Sequence, residues 1–275
     1  MQLLGGLALN LLPSVIAFTA GLLWRRVRTA FVFSRARQFW RPVMSSDLQL
    51  VLGGFGDLRD FEASGLVGAG DVLAMNELTS YFQKIGYGTP QISYSDQLMG
   101  DELRTNMIIL GGPDANSMTR LVLDRTKLGI ELVKIPVDEL DQASEARKQN
   151  PQIAPPLGKG AIPVIRDWAE QRGSPGPQDY YASVKVGGDM TDYGVLIRIS
   201  NPFEETKTVV ILCGSHGYGT WAAVQFAQSG RFLSELQKIP RDAVSIECVL
   251  SVDVVRGSPQ RLRPEFVRET PGKAP

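Results

Sequence analysis

Short apolar runs and amphipathic runs alternate along the chain from residue 47 onward. Apolar runs of about 4–8 residues are typical of buried strands, and apolar residues at i, i+3, i+4 and i+7 are typical of helices. The predicted strands are 49–53, 91–94, 107–110, 129–135, 180–186, 193–200, 209–212 and 243–255. The predicted helices are 70–85, 115–128 and 221–237.

This alternation predicts an α/β fold of three layers, in which a mainly parallel sheet carries helices on both faces. The strands at 180–186 and 193–200, joined by Gly187-Gly188-Asp189, predict an antiparallel hairpin. Residues 137–178 are polar and rich in proline and glycine, which predicts an insertion with one short helix at 164–171. Residues 47–255 form the predicted domain, and residues 256–275 a flexible tail.

The first 24 residues have a different pattern. No charged side chain occurs from Leu3 to Trp24, a length that as a helix would span about 33 Å, enough to cross a bilayer. Residues 1–24 are therefore predicted to form a single transmembrane helix, followed by a basic juxtamembrane linker at 25–46. The arginines after the apolar run predict an N-terminus outside, a cytoplasmic C-terminal domain and the lipid bilayer as a partner. A buried hairpin helix of a soluble protein is the alternative.

Charge is distributed unevenly between these two parts. The whole chain has 29 basic and 29 acidic side chains and no net charge at pH 7. Six arginines lie in the first 46 residues, which contain no acid. Residues 47–275 therefore contain the remaining 23 basic and all 29 acidic side chains, which gives them a formal charge of −6. A globular part with that charge is a poor candidate for binding nucleic acid.

Three of the predicted strands end in similar glycine-rich turns. They are GGFGD at 53–57, GGPDAN at 111–116 and CGSHGYGT at 213–220. Parallel strands end together at the carboxyl edge of a sheet, where backbone N–H groups and helix N-termini favour an anion. The predicted ligand-binding residues are Gly54, Phe55, Gly56, Gly112, Asp114, Asn116, Gly214, Ser215, His216, Gly217, Gly219 and Thr220. The alternative is that these glycines only shape the fold.

The motifs disfavour several kinds of cofactor chemistry. Gly54-Phe55-Gly56 lacks the third glycine of a dinucleotide fingerprint, and no Walker A motif follows a strand, so no cofactor is predicted. Cys213 and Cys248 lie in apolar runs without metal-ligand spacing. They are predicted to be buried thiols, and no metal site is predicted.

His216 is the only histidine, which limits acid–base chemistry. Ser215 lies in a segment similar to a hydrolase nucleophile elbow. The only histidine of the chain is the adjacent residue, and neighbouring side chains on a turn point in different directions, so a Ser-His-Asp triad is disfavoured. His216 either binds an anionic group, acts as an acid or base, or is only a turn residue. Glu77 is the other catalytic candidate, whereas Asp71 is explained as a first-turn acid that complements a helix dipole.

This architecture and its three turns resemble the Rossmann-like domains of the SLOG, TIR and nucleoside-deoxyribosyltransferase group, over roughly residues 47–255. Some of these domains lie behind membrane helices in bacterial nucleotide-signalling and defence systems. The resemblance implies a membrane-anchored cytoplasmic domain that binds a small anionic, nucleotide-like ligand as a sensor or effector.

Two alternative functions remain open. Glycosidases similar to the deoxyribosyltransferases use an acid on a helix after a glycine-rich turn, and the helix after Thr220 has no acid before Glu235. A nucleotide- or nucleoside-cleaving enzyme would therefore depend on Glu77 or on an aspartate. The second alternative is a non-catalytic, membrane-tethered scaffold. A homo-oligomer is compatible with all three interpretations.

Overall fold

The computed structural model describes residues 18–21, 23–24, 39–44, 48–54, 66–136, 139, 160–168, 176–184, 189–240, 243 and 245–270. The chain divides into two compact units, residues 1–41 and residues 42–275. The strands and helices labelled below all belong to the second unit.

The first unit contains short helical stretches at residues 18–21 and 23–24, whose side chains are exposed. Among the described residues, no helix is both long and apolar enough to cross a membrane. This finding contradicts the predicted transmembrane helix at 1–24 and, with it, the single-pass membrane location. A charge-free run of sufficient length is required for a transmembrane helix but does not by itself form one. Residues 1–17 and 22 of that segment, and most of the predicted linker at 25–46, lie outside the described residues.

The strands of the second unit are β1 (Gln49–Leu52), β2 (Gln91–Tyr94), β3 (Met107–Leu110), β4 (Ile130–Pro136), β5 (Ala161–Asp167), β6 (Gln178–Tyr181), β7 (Ser183–Val184), β8 (Met190–Asn201), β9 (Glu204–Gly214), β10 (Ile246–Val255) and β11 (Ser258–Glu269). The helices are α1 (Ala69–Lys84), α2 (Ser117–Leu123), α3 (Gly217–Gln228) and α4 (Gly230–Leu236), with a 3₁₀ helix at Gly100–Arg104.

The main sheet is mixed, which contradicts the prediction of a mainly parallel sheet. Its strands follow the order β11-β10-β8-β9-β3-β1-β2, and β7 pairs with β8. The strands β2, β1, β3 and β9 are parallel to one another. The strands β8, β10 and β11 each pair antiparallel with their neighbours. Tight turns join β8 to β9 and β10 to β11, and strands joined in this way must run antiparallel.

Two other segments differ from the sequence-based expectation. Residues 258–269, predicted as a flexible tail, form β11, which pairs with β10 along nearly its whole length. Residues 161–167, inside the predicted insertion, form β5, although a helix is expected at 164–171. Over its first four residues, the buried Ile162 and Val164 alternate with the less buried Ala161 and Pro163, which is a strand pattern. The strands β4, β5 and β6 form a separate antiparallel sheet, called the small sheet below.

The main sheet is covered on both faces. On one face, buried side chains of its central strands such as Ile109 and Ile211 share a core cluster with Met118 of α2 and Ile165 of the small sheet. On the other face, α1 packs against α3, and α3 packs against β8 to β11. Successive side chains of a strand point to opposite faces of the sheet, so each strand contributes to the packing on both faces.

A buried ionic cluster joins the small sheet to the main sheet. Arg268 of β11 makes a bidentate pair with Asp167 of β5, at 2.8 and 3.1 Å. It also donates to Glu247 of β10, at 2.7 and 2.9 Å. The other oxygen of Glu247 accepts the backbone N–H of Gly129, just before β4, at 2.6 Å. Both carboxylates are almost fully buried, so these charge-assisted bonds offset the cost of removing them from water.

Replacing Arg268 by leucine is expected to destabilise the protein by about 3–5 kcal/mol, because two buried carboxylates lose their counter-charge. Lys238→Leu is the control. Lys238 pairs with Glu235 at 2.6 Å, but the lysine side chain is 70% exposed, so its loss is expected to cost about 1 kcal/mol or less. Urea unfolding followed by circular dichroism measures both variants, and equal losses would contradict a special role for Arg268.

Candidate ligand-binding site

A cavity of about 290 Å³ lies at the edge of the main sheet where its parallel strands end. Residues 111–115, which follow β3, and residues 214–217, which follow β9, form much of its wall. The N-terminus of α1 contributes Gly68 and Asp71, and α3 contributes Thr220. The small sheet closes the cavity with residues 132–134 and 163–165. The cavity therefore lies between two glycine-rich turns, two helix N-termini and the small sheet.

Most of the predicted ligand-binding residues line this cavity, namely Gly112, Asp114, Gly214, Ser215, His216, Gly217 and Thr220. Gly54, Asn116 and Gly219 are described by the structure but do not line the cavity. Phe55 and Gly56 lie outside the described residues. The cavity thus brings together the second and third glycine-rich turns, and ligand binding by these residues stays a prediction.

Asn116 is a structural residue beside the site. Its side-chain amide donates to the carbonyls of Val51, at 3.3 Å, and Leu110, at 2.8 Å. Its side-chain oxygen accepts the backbone N–H groups of Met118 and Thr119, at 3.0 and 3.3 Å. One buried side chain therefore ties the ends of β1 and β3 to the start of α2, as a helix N-cap does.

Glycine allows the backbones around the cavity to touch. A Cβ at Gly70 in the first turn of α1 would overlap the backbone of Gly217 at the start of α3. A Cβ at Gly219 would overlap the carbonyl of Tyr193 on β8 and the backbone of Gly214. Any larger residue would force these segments apart. The two helices and the end of β9 therefore meet at the cavity because of these glycines.

Asp192 of β8 caps α3 from a neighbouring strand. His216 occupies the N-cap position of α3 but makes no side-chain cap. The carboxylate of Asp192 instead accepts the backbone N–H of Gly219 at 2.6 Å and that of Tyr193 at 2.8 Å. Its burial raises the pKa of Asp192 to about 7, although hydrogen bonds from the backbones of Tyr193, Gly219 and His216 oppose that rise. The sequence does not indicate this role, because 24 residues separate Asp192 from His216.

Asp71 is a buried acid in the cavity wall. Only 5% of its surface is exposed, and the side chain of Thr220 hydrogen-bonds to it. Its Oδ1 atom has no hydrogen-bond partner among the described residues. Burial raises the pKa of Asp71 to about 6, against the opposing effect of the Thr220 bond. The position of Asp71 in the first turn of α1 predicts only an interaction with the helix dipole, and its place in the cavity wall was not predicted.

Ser215 and His216 also place polar side-chain atoms without hydrogen-bond partners in the cavity wall. Ser215 is 5% exposed, and its backbone N–H donates to Tyr193 at 2.9 Å. Neither its Oγ nor the Nδ1 of His216 has a hydrogen-bond partner in the described part of the chain. His216 Nδ1 lies 4.0 Å from the carboxylate of Asp192. Burial lowers the pKa of His216 below its usual 6.5, so its imidazole is neutral at pH 7.

Glu77, the other catalytic candidate, lies in the interface between α1 and α3. It accepts hydrogen bonds from Trp221 Nε1 at 2.5 Å and Gln225 Nε2 at 3.3 Å, and it does not line the cavity. Cys213 is fully buried, which raises the pKa of its thiol to about 12 and makes it a poor nucleophile. Across the described residues, no group of three His, Cys, Asp or Glu side chains is arranged to hold a metal ion.

Asp71→Asn is expected to stabilise the protein at pH 8. The native pKa of about 6 lies above the unfolded value of 3.8, so the native state binds a proton more tightly. The contribution of Asp71 to stability is therefore full below pH 4 and falls as the pH rises through 6. Asparagine removes the buried charge, and its side-chain oxygen can still accept a hydrogen bond from Thr220. The free energy of unfolding at pH 8 is therefore expected to rise by about 1–3 kcal/mol.

Urea unfolding at pH 4 and pH 8 measures this effect. Most of the gain is expected to be lost at pH 4, where Asp71 is protonated in the native state and is close to its unfolded pKa of 3.8. Asp101→Asn, which changes an exposed aspartate, is the control and is expected to have little effect at either pH. If Asp71→Asn changes stability by the same amount at both pH values, the buried charge is not the cause.

No protein-family model matches this chain, no curated protein is significantly similar to it, and no solved structure matches it. The resemblance to the SLOG, TIR and deoxyribosyltransferase group therefore stays a prediction.

Proposed function

We propose that this chain binds a small anionic, nucleotide-like ligand in the cavity at the edge of its main sheet, and that it acts as a sensor or effector of that ligand. The observation that supports this most directly is the position of the N-terminus of α3. Gly217, the first residue of that helix, lies in the cavity wall beside the buried and unpartnered hydroxyl of Ser215.

The first amide groups of a helix have no partner within the helix, and together with the helix dipole they favour an anion. In α3, the amide of Gly219 donates to Asp192. The amide of Gly217 precedes it on the cavity wall, and we propose that this amide donates to a ligand oxygen. Because its pKa is near 7, Asp192 is partly protonated at neutral pH, which limits its repulsion of an anion.

The size of the cavity favours a small ligand. Pockets that enclose whole drug-sized ligands measure about 300–1,000 Å³, and this cavity measures about 290 Å³. That volume suits one sugar phosphate better than a dinucleotide. Lys134 supplies a positive charge at the wall, where it pairs with Asp114 at 3.1 Å. Because both side chains of that pair are well exposed, the pair itself is weak and Lys134 can turn to a phosphate instead.

Calorimetric titration of the full chain with AMP and adenosine tests the anion-binding part of the proposal. AMP is expected to bind at least about tenfold more tightly than adenosine, because only AMP has a phosphate that can accept hydrogen bonds from the amides at the start of α3. Equal binding of the two compounds would contradict the proposal, and so would binding of neither.

Gly217→Pro sharpens the test, because proline removes one N–H yet is well tolerated as the first residue of a helix. His216 has the extended backbone, at φ −137° and ψ 179°, that a following proline requires. Gly217→Ala is the matched control, since it adds a Cβ at the same position, 3.2 Å from the Cα of Gly70, and retains the N–H. Any effect of that Cβ on the contact with Gly70 is therefore common to both variants. The proline variant is expected to bind AMP about tenfold more weakly than the alanine variant, and both are expected to bind adenosine equally.

A second candidate function, cleavage of a nucleotide or nucleoside, is favoured by one observation. Asp71 combines burial in the cavity wall, a pKa of about 6 and an oxygen without a partner, which are properties of a general acid or base. Chromatography of the AMP incubation distinguishes the two functions. A sensor leaves AMP unchanged, whereas an enzyme releases adenine and loses that activity in Asp71→Asn.

A further inference from the structure

Two residues of the cavity wall, Asp71 and Ser215, are each only 5% exposed and carry a polar atom without a hydrogen-bond partner among the described residues. These atoms are Asp71 Oδ1 and Ser215 Oγ, beside the unpartnered Nδ1 of the less buried His216. Folded proteins leave few buried polar atoms unpaired, and those in a cavity wall are positions where a ligand atom can bind.

We infer that the ligand carries two neighbouring hydroxyl groups of a ribose-type sugar, one bound by the carboxyl of Asp71 and the other by the hydroxyl of Ser215. This inference rests on the proposed function, because it assigns the sugar of the nucleotide-like ligand to the same cavity.

The chemistry of Asp71 excludes the phosphate as its partner. An ionised carboxylate only accepts hydrogen bonds, and a phosphate offers acceptors of the same charge. A ligand hydroxyl can donate to the carboxylate, and it can also accept from the protonated form. Ser215 Oγ both donates and accepts, so it matches a second hydroxyl. The amides at the start of α3 would then bind the phosphate.

The surroundings of Asp71 favour a neutral group over a cation. The small sheet faces the cavity with apolar side chains that include Leu132, Val164 and Ile165. An ammonium group would lose its hydration there, which is more costly than burying a hydroxyl that gains a hydrogen bond.

The backbone of Gly111 packs closely on the carboxyl of Asp71. Gly111 has φ +102°, a conformation that favours glycine, and a Cβ at this position would lie 3.2 Å from Asp71 Oδ2. The absence of a side chain in the turn after β3 therefore leaves room for the buried carboxyl in the cavity wall.

Titration of the full chain with AMP, 2′-deoxy-AMP and 3′-deoxy-AMP tests the inference. Each deoxy compound is expected to bind at least about tenfold more weakly than AMP, because each leaves one buried polar atom without its partner. Asp71→Ala is expected to abolish one of these two preferences and Ser215→Ala the other. Asp124→Ala, which changes an aspartate outside the cavity wall, is expected to retain both.

The outcomes separate this inference from the proposed function. Equal binding of all three nucleotides to the wild-type protein would overturn the inference and leave the proposed function standing. If neither AMP nor inorganic phosphate binds, the proposed function fails, and the inference fails with it. If Asp71→Ala does not fold, Asp71→Asn replaces it, with a reduced preference expected. Preferences that persist in Ser215→Ala and in the Asp71 variant would also overturn the inference.

Discussion

Direct contact between the backbones of Gly70 and Gly217 holds the first turns of α1 and α3 together, and the geometry of the cavity depends on it. Gly219 extends this contact to β8 and to the end of β9. Without these close approaches, Asp71 on α1 and Ser215 before α3 would not share one cavity. The cavity is thus built by backbone packing, and its polar side chains occupy positions that this packing creates.

The protein buries acidic groups in two different ways. At the junction of the sheets, Asp167 and Glu247 are bound by Arg268, and Glu247 also accepts a backbone N–H. That arrangement satisfies its charges and has a structural role. In the cavity wall, Asp71 has one partner in Thr220 and one open oxygen. Leaving a buried polar atom unsatisfied costs about 1–3 kcal/mol, and a ligand that supplies the missing partner recovers that cost.

The parts of the site that are local in sequence could be predicted, and the parts that depend on distant contacts could not. The turns at 111–116 and 213–220 are visible as strand, glycines and helix within a few residues, and the cavity lies between them. The cap on α3 comes from Asp192 on β8, and no local pattern links that residue to His216. Strand periodicity indicates β8, β9 and β10 but not their directions, so the antiparallel pairing of β8 with β9 and β10 was missed, although an antiparallel hairpin that includes β8 was predicted. The small sheet, which closes the cavity, was missed for a similar reason. Its strands β4 and β5 pair with each other although residues 137–160 separate them in sequence.

We propose that an anionic, sugar-containing ligand binds between the turns after β3 and β9. Amide chemical-shift mapping of the ¹⁵N-labelled full chain during titration with AMP locates such a site residue by residue. We expect the largest shifts at the amides of Gly112, Asp114, Ser215 and Gly217, all in the cavity wall. Amides on the far side of the domain, such as Thr206 at the start of β9, are expected to stay unchanged. No shifts at saturating AMP, or shifts confined to residues outside the cavity, would contradict the account.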